Sequence, residues 1–411
     1  MTIILIAIAA AYGVIAWKNF SSALSIFPAL LPLYLIRTSL GPLPTTLLEL
    51  LSIALLTIAV AKRKFQIPNS KFQIPIVLFL FASTIGVIVS PDKVSALGIW
   101  KAYFVEPIIF FFLVSQNLKN KKYLRLMLRA LLVSALVISL WAIAQKFTGA
   151  GIPQPWLLER RVTGPYPYPN AVGLFLAPLI IFFIYMKQYM GEVWKKIVIL
   201  SLPLMLTAII LAKTESGLVA ITVVMASLII RAQKNKTKKI AAFIIAFTIA
   251  FVLVSQPPVL KPVTDKLLLR DWSGIVRKIT WNETWKMLKD RPVFGAGLAG
   301  YQKTMLPYHK ATAIETFLYP HNIFLNFWSE LGLLGLFAFG ALVSVFFVRI
   351  KKMAKDERLR TFALASGGAM AVMLIHGLVD VPYFKNDLSM LFWLMLAIPA
   401  IAQNIDREAK K

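Results

Sequence analysis

The stretch IPIVLFLFASTIGVIVS, Ile74 to Ser90, is apolar on every side of a helix and carries no charge. A transmembrane strand would instead show two-residue alternation over about 10 residues. That alternation is absent here, and Ile240 to Val254 has the same uninterrupted character. A bilayer-spanning helix needs roughly 20 mainly apolar residues. Runs of this kind recur along nearly the whole chain, separated by short charged or Pro/Gly-rich breaks. The fold expected is therefore all-α, a polytopic transmembrane helical bundle.

Composition points the same way. Of 411 residues, 58% are hydrophobic and only 15% charged, too few polar groups to cover an ordinary water-soluble surface. The formal net charge of +27 could suggest nucleic acid. Basic loops beside membrane spans, however, follow from the positive-inside rule, so membrane lipids are the expected surroundings and no nucleic-acid partner is expected. With no cysteine, neither a disulfide framework nor a thiolate metal site can form. Thr2 to Trp17 lacks the basic start and cleavage site of a signal peptide and reads as a retained span.

Six basic breaks, at Lys62 to Phe72, Asn117 to Arg129, Lys187 to Lys196, Arg231 to Lys239, Arg349 to Arg360 and from Gln403 onward, hold 26 of the 45 Lys and Arg residues. Placing all six in the cytoplasm requires an even number of crossings between neighbours. The apolar runs supply them, turning outside at Pro91 to Lys93, Phe147 to Asn170, Lys213 to Ser216, Gln256 to Pro320 and Val381 to Asp387. About 12 spans result, or 13, because Ser21 to Ile36 is short and contains Pro28 and Pro32, as a broken or re-entrant segment would. The chain divides into spans with short loops (1–255), a long, partly helical outer loop (256–320), and a last group of spans with a cytoplasmic tail (321–411).

That loop of about 65 residues is too long for a connector. Ile275, Ile279, Trp281, Trp285 and Leu288, with Arg277, Lys278, Lys286 and Lys289 between them, suggest an amphipathic helix lying along the membrane surface. Asp290, Arg291 and Pro292 end it, and Gly295, Gly297 and Gly300 mark a flexible turn toward His321. The loop holds ten Lys and Arg against five Asp and Glu, an excess disfavoured outside. An anionic ligand would offset it, and arginine pairs with phosphate oxygens in a bidentate way. Anionic lipid headgroups would offset it too.

A second outer segment runs from Glu159 through Arg160, Arg161, Val162, Thr163 and Gly164 to Pro165, Tyr166, Pro167, Tyr168, Pro169 and Asn170. Its alternating prolines present two arginines with little flexibility. Tyr166 and Tyr168 fit an interfacial aromatic belt, and such rings also pack on sugars. His321 and Asn322 open the next span. A histidine there can accept and return a proton near neutral pH, or simply be an interfacial residue. Gly332 and Gly335, roughly three turns deeper, offer a face for a neighbouring helix. His376 and Asp380, four apart, are expected to face each other on one helix, lining a pathway or satisfying one another. Lys213 and Glu215 either orient a substrate or cap their turn. Three histidines without cysteine provide no clustered metal ligands, and no nucleotide fingerprint is present, so neither a metal nor a cofactor is expected. The energy would then come from the substrate, as with a lipid-linked pyrophosphate.

From about Glu49 onward the chain resembles the O-antigen ligase and polymerase family of bacterial membrane glycosyltransferases. His321 and Asn322, then nine residues, then Gly332, Leu333, Leu334 and Gly335 resemble its His/Asn then Gly-x-x-Gly signature. Arg161, Thr163, Gly164 and Asn170 resemble its Arg-x-Thr-Gly element. Arg277, Trp281, Pro292, Gly295 and Gly297 resemble its long-loop element. One departure is Glu215, Ser216 and Gly217, where many members have Ser-Arg-Gly; Lys213 is the candidate substitute for that arginine. The resemblance implies an undecaprenyl-pyrophosphate-linked glycan donor held by Arg161 and Arg277, with His321 activating an acceptor hydroxyl without a metal. Arg160, Asn170, Lys213, Gly295, Gly297, Asn322, His376 and Asp380 are the candidate substrate-binding residues. The acceptor would be a lipid A core, another glycan, a protein or a wall polymer, met at the outer face of the bacterial cytoplasmic membrane. A transporter or flippase of lipid-linked oligosaccharide is the alternative, since it too needs many spans and a cationic cavity.

Overall fold

The computed structural model describes residues 2–41, 43–67, 71–232, 265, 269–311 and 314–410. The run Ile240 to Val254, most of the Arg231 to Lys239 break and the start of the long loop lie outside those residues. The described part is helical apart from a short antiparallel hairpin, β1 (Arg37–Leu40) and β2 (Leu43–Thr46). The first helices are α1 (Thr2–Lys18), α2 (Phe20–Ile26), α3 (Leu47–Ala61), α4 (Gln73–Val89) and α5 (Lys93–Ile99). Next come α6 (Glu106–Asn117), α7 (Lys121–Thr148), α8 (Asn170–Met186), α9 (Glu192–Leu211) and α10 (Glu215–Ala232). The outer loop supplies α11 (Trp272–Asp290) and α12 (Tyr301–Met305), and the chain ends in α13 (Ile323–Met353), α14 (Glu357–His376) and α15 (Asn386–Ala409). Among the described residues, eight helical stretches are long and apolar enough to cross a membrane. Four shorter apolar ones, Thr2–Lys18, Phe20–Leu35, Leu47–Ala61 and Gln73–Val89, accompany them.

Local chemistry sets several boundaries. The prolines at 28 and 32 turn the continuation of α2 into a 3-10 run, Phe27–Leu35, because proline removes a backbone donor and fixes φ. Thr46 and Glu49 form a reciprocal capping box at the start of α3. Pro107 cannot donate to the carbonyl of Tyr103, and the preceding turn widens into a π-helical segment, Trp100–Val105. The Tyr383 hydroxyl donates to that carbonyl instead, at 2.7 Å.

The centre of the bundle is α15, buried along nearly its whole length, with α8 and α14 beside it, whereas α9 and α10 lie outside. Lipid tails are as apolar as leucine, so close packing rather than water exclusion holds such helices together. The small residues Ala363, Ala365, Ser366 and Ala369 of α14 are all buried and let it lie against α8. At the end that carries the long loop, Phe79, Phe104, Phe327 and Tyr383 form an aromatic cluster with centroids 5.1 to 5.9 Å apart around Tyr383. Trp393 Nε1 donates to the Tyr383 hydroxyl at 3.0 Å. This cluster anchors residues 377–385, the segment that carries Asp380.

The approach at Gly332 differs from expectation. The atoms nearest to this glycine belong to the long loop, while α4 packs beside it at Glu330 and Leu331. Gly332 has φ 69° and ψ −173°, which breaks the regular course of α13. A Cβ there would lie 2.0 Å from the Val293 carbonyl oxygen. Leu333 N donates to that same oxygen at 3.0 Å, and Ala296 N donates to the Ser329 carbonyl at 2.6 Å. Leu298 N bonds the Gly86 carbonyl of α4 at 3.0 Å, and the buried Glu330 carboxylate accepts from Ala299 N at 2.7 Å. Loop residues 293–299 thus supply partners for backbone that the kink frees, as irregular chain at membrane depth requires. Gly295 and Gly297, with φ 66° and 80°, are held against backbone of α13 and α4. The expected flexible turn is a fixed seat.

The expected amphipathic helix is present as α11, and it also packs against the rest of the loop. Ile275 and Trp285 are exposed, while Thr280, Glu283, Thr284, Met287 and Leu288 pack inward. The reason is a small core of its own, made by Met287, Leu288, Ala296, Tyr301 and Met305. His309 fastens the far side of this unit to α11. Its Nδ1 lies 3.0 Å from Glu283 Oε2 and its Nε2 is 2.7 Å from the Ile314 carbonyl. Both contacts need a doubly protonated ring, and the hydrogen bond to Glu283 raises the His309 pKa above its ordinary value. A raised pKa gives stability that is fully present below about pH 6.5 and is lost as pH rises through the higher folded value. Amide exchange in residues 301–311 is therefore expected to be slower at about pH 6 than at about pH 8.5, beyond the intrinsic rate difference. His309→Gln should remove that excess; an unchanged excess would refute the latch.

Candidate active site

Arg161, Asn170, Asp380 and His321 form one string at the end of the bundle that carries the long loop. Arg161 Nη2 donates to Asn170 Oδ1 at 2.9 Å. Asn170 Nδ2 donates to Asp380 Oδ2 at 2.8 Å. Asp380 Oδ1 stands 3.6 Å from His321 Nδ1, an electrostatic contact just beyond hydrogen-bond length. Contacts of this kind are commonly long before substrate arrives and close in the reactive complex. Burial would raise the Asp380 pKa, but His321 and His376 beside it prevail and hold it below the usual carboxylate range. The carboxylate is thus charged and fixed on two sides, the second by Val381 N at 2.9 Å.

Each member is placed by local structure. Gln145, near the end of α7, accepts from Thr163 N and Gly164 N at 3.0 and 2.8 Å and donates to the Gly164 carbonyl at 2.8 Å. One buried amide therefore shapes the Arg-x-Thr-Gly turn. Arg161 Nε donates to the Ala212 carbonyl at 2.8 Å, and the guanidinium lies 5.1 Å from the Trp156 ring. These contacts commit Nε and Nη2, and among the described residues Nη1 has no partner. Burial lowers the Arg161 pKa; Glu159 and Glu215 oppose that shift, and the charge of Arg277 adds to it. Arg277, from α11, donates from Nε to the Val379 carbonyl at 3.0 Å and from Nη1 to Ser273 Oγ at 2.6 Å. Val379 precedes Asp380, so Arg277 attaches directly to the strip that holds the carboxylate, while Arg161 reaches it through Asn170.

His321 has φ 50°, a left-handed conformation that costs a non-glycine residue on the order of 1 kcal/mol or more. The surroundings enforce it. Trp281 Nε1 donates to the Pro320 carbonyl at 2.8 Å, and Ile323 N donates to the Gly377 carbonyl at 2.7 Å. Asn322 donates to the Leu378 carbonyl at 2.9 Å and accepts from Phe324 N and Leu325 N, both at 3.0 Å. The Phe317 ring meets the imidazole edge-on at 5.0 Å.

Other candidates stand elsewhere. Asn322 uses its polar atoms on the protein, as a helix cap and a tie to residue 378. Gly295 and Gly297 seat the loop. Arg160 is exposed, with φ 43°. Lys213, with φ 51°, pairs with Glu159 at 3.2 Å. His376 and Asp380 do not share a helical face, because α14 ends at His376; the imidazole is buried against Gly217. Of the two expected belt residues, Tyr168 keeps part of its surface open and Tyr166 does not. Tyr166 is fully buried, and its hydroxyl donates to Asp387 Oδ2 at 2.9 Å. Gln145, Trp156, Lys385 and Asp387 were not singled out by sequence. Their partners lie up to 221 residues away, so no local spacing could signal them.

With this geometry in view, comparison with known families adds one finding. Residues 200–340 match the O-antigen ligase family. That match supports the resemblance to the O-antigen ligase and polymerase family that the motifs carry. The matched stretch contains Lys213, Arg277, His321 and the Gly332 kink, while Arg161, Asn170 and Asp380 reach the site from outside it. A search of curated proteins finds no match.

Proposed function

We propose that this protein is a membrane glycosyltransferase of the O-antigen ligase type that takes glycan from an undecaprenyl-pyrophosphate donor and joins it to an acceptor hydroxyl at the outer face of the cytoplasmic membrane. The observation that carries the reading is the pair of His321 and the Asp380 carboxylate, with Arg277 bonded to the neighbouring Val379 carbonyl and Arg161 linked to Asp380 through Asn170. The acceptor oxygen attacks the anomeric carbon from the face opposite the pyrophosphate, and configuration inverts. His321 Nε2 takes the hydroxyl proton, while Asp380 steadies the imidazolium from the Nδ1 side, the division of labour of a base and its orienting carboxylate. The bond from the anomeric carbon to the pyrophosphate oxygen breaks, and its electrons leave with undecaprenyl pyrophosphate. Arg161 and Arg277 meet that growing negative charge, so the step needs no metal.

Purified protein supplied with labelled lipid-linked glycan and separated acceptors should attach label through a new glycosidic bond. Arg161→Ala and Arg277→Ala should each lower the rate on the order of 100-fold or more, as loss of one preorganised donor does. Full transfer in both Arg277→Ala and His321→Ala proteins would refute the assignment. Movement of label between leaflets with no new bond would replace it with a transporter.

A further inference from the structure

Beside the His321 and Asp380 pair, three tyrosines from distant parts of the chain meet around Phe384 and Lys385. Tyr103 comes from the π-helical segment, whose frayed carbonyl is capped by Tyr383. Tyr168 comes from the proline-stiffened run before α8. Tyr319 lies two residues before His321. The Tyr103 and Tyr319 rings stand 6.4 and 5.9 Å from the Phe384 ring, and Tyr168 stands 5.8 Å from Lys385 Nζ. All three keep part of their surface open, whereas neighbouring Tyr34, Tyr166 and Tyr383 are fully buried. The Tyr168 hydroxyl makes no hydrogen bond among the described residues, although the ring feels the charges of both Asp380 and Asp387.

We propose that Tyr103, Tyr168 and Tyr319 wall a subsite for a pyranose ring next to the reacting centre. A pyranose has a face of C–H bonds and a rim of hydroxyls. Tyrosine offers the complement, a flat apolar face with a hydrogen-bonding tip. An acyl or isoprenoid chain would leave those hydroxyls unsatisfied. The wall is built in advance. Lys385, itself buried, holds its ammonium 3.8 Å from the Tyr166 centroid and 3.4 Å from Asp387 Oδ1, and Tyr166 donates to the same carboxylate. This clamp fixes the Tyr-Pro-Tyr-Pro run and with it the Tyr168 ring, so ordering the ring costs little on binding. Lys385 is thus a positioning residue, and the inference rests on the transferase reading in taking the ring as part of the transferred or receiving glycan.

Saturation-transfer NMR on the full chain in lipid nanodiscs, without sugar-based detergent, tests it using free glucose, galactose, N-acetylglucosamine and glucuronate, with sorbitol as an acyclic control. At least one pyranose should be saturated while sorbitol is not. Tyr168→Leu and Tyr319→Leu should weaken that sugar at least about fivefold through loss of the flat face, and Tyr168→Phe should stay within about twofold. Overturning results are no responding pyranose, equal response by sorbitol, or Leu variants that bind like the unaltered protein. If labelled transfer persists while these fail, only the subsite falls. If sugars bind as expected and no transfer occurs, only the transferase reading falls.

Discussion

Asp380→Asn is expected to slow glycan transfer by about ten-thousand-fold with little change in fold. The side chain is nearly isosteric, and its carbonyl oxygen can still accept from Asn170, so the link to Arg161 survives, at the loss of the single bond from Val381 N to the replaced oxygen. What changes is the group facing His321 Nδ1. A carboxylate there accepts, favouring the tautomer with hydrogen on Nδ1 and leaving Nε2 free as base. An amide NH2 donates, so the hydrogen moves to Nε2 and the base is lost. The same exchange in hydrolase triads costs about 10⁴ in rate for this reason. Asp380→Asn also removes the negative charge that stabilises the imidazolium formed during proton transfer. Initial rates of labelled-glycan transfer, with the thermal midpoint as a folding control, give the result. A rate within about tenfold of the unaltered enzyme would show that Asp380 does not orient the base.

Sequence alone made the bundle legible because lipid imposes one rule, satisfaction of every backbone group inside a helix, and long apolar runs obey it visibly. It also picked out Arg161, Arg277 and His321, which converge on residues 379–380. The pairing within that cluster was not legible. His376 and Asp380 are four apart, yet the helix ends between them, and Asp380 turns toward His321, 59 positions earlier in the chain. The tyrosines at 166 and 168 sit in an outer turn like belt residues, yet a buried carboxylate and ammonium at 387 and 385 draw Tyr166 inward. Residues 275, 285 and 288 read as one apolar face of α11, but the loop's own small core takes Leu288 together with Met287 and leaves 275 and 285 open. In each instance local pattern named the element correctly, and tertiary contacts chose its partner.

Gly332→Ala is expected to be the most destabilising small substitution in the chain, on the order of 4 kcal/mol or more, a range reached only by specific steric or strain mechanisms. Two independent penalties combine. The backbone at φ 69° and ψ −173° belongs to a region open essentially only to glycine. The added methyl would also sit 2.0 Å from the Val293 carbonyl oxygen and 2.8 Å from Phe294 Cα, backbone atoms that cannot rotate away. The loop seat would have to lift, breaking the bonds from Leu333 N to Val293 and from Ala296 N to Ser329 and opening the contact of Ala299 N with Glu330. Because residues 293–299 follow directly from α11, release of the seat frees the helix that carries Arg277. Transfer should therefore fall with stability, and protease sites in residues 291–300 should open in lipid nanodiscs. Gly340→Ala on the same helix is the matched control: no atom lies within 4 Å of its added methyl, so stability should change by less than about 1 kcal/mol. Equal stability of the two variants would mean that the kink at Gly332 is not what holds the catalytic loop in place.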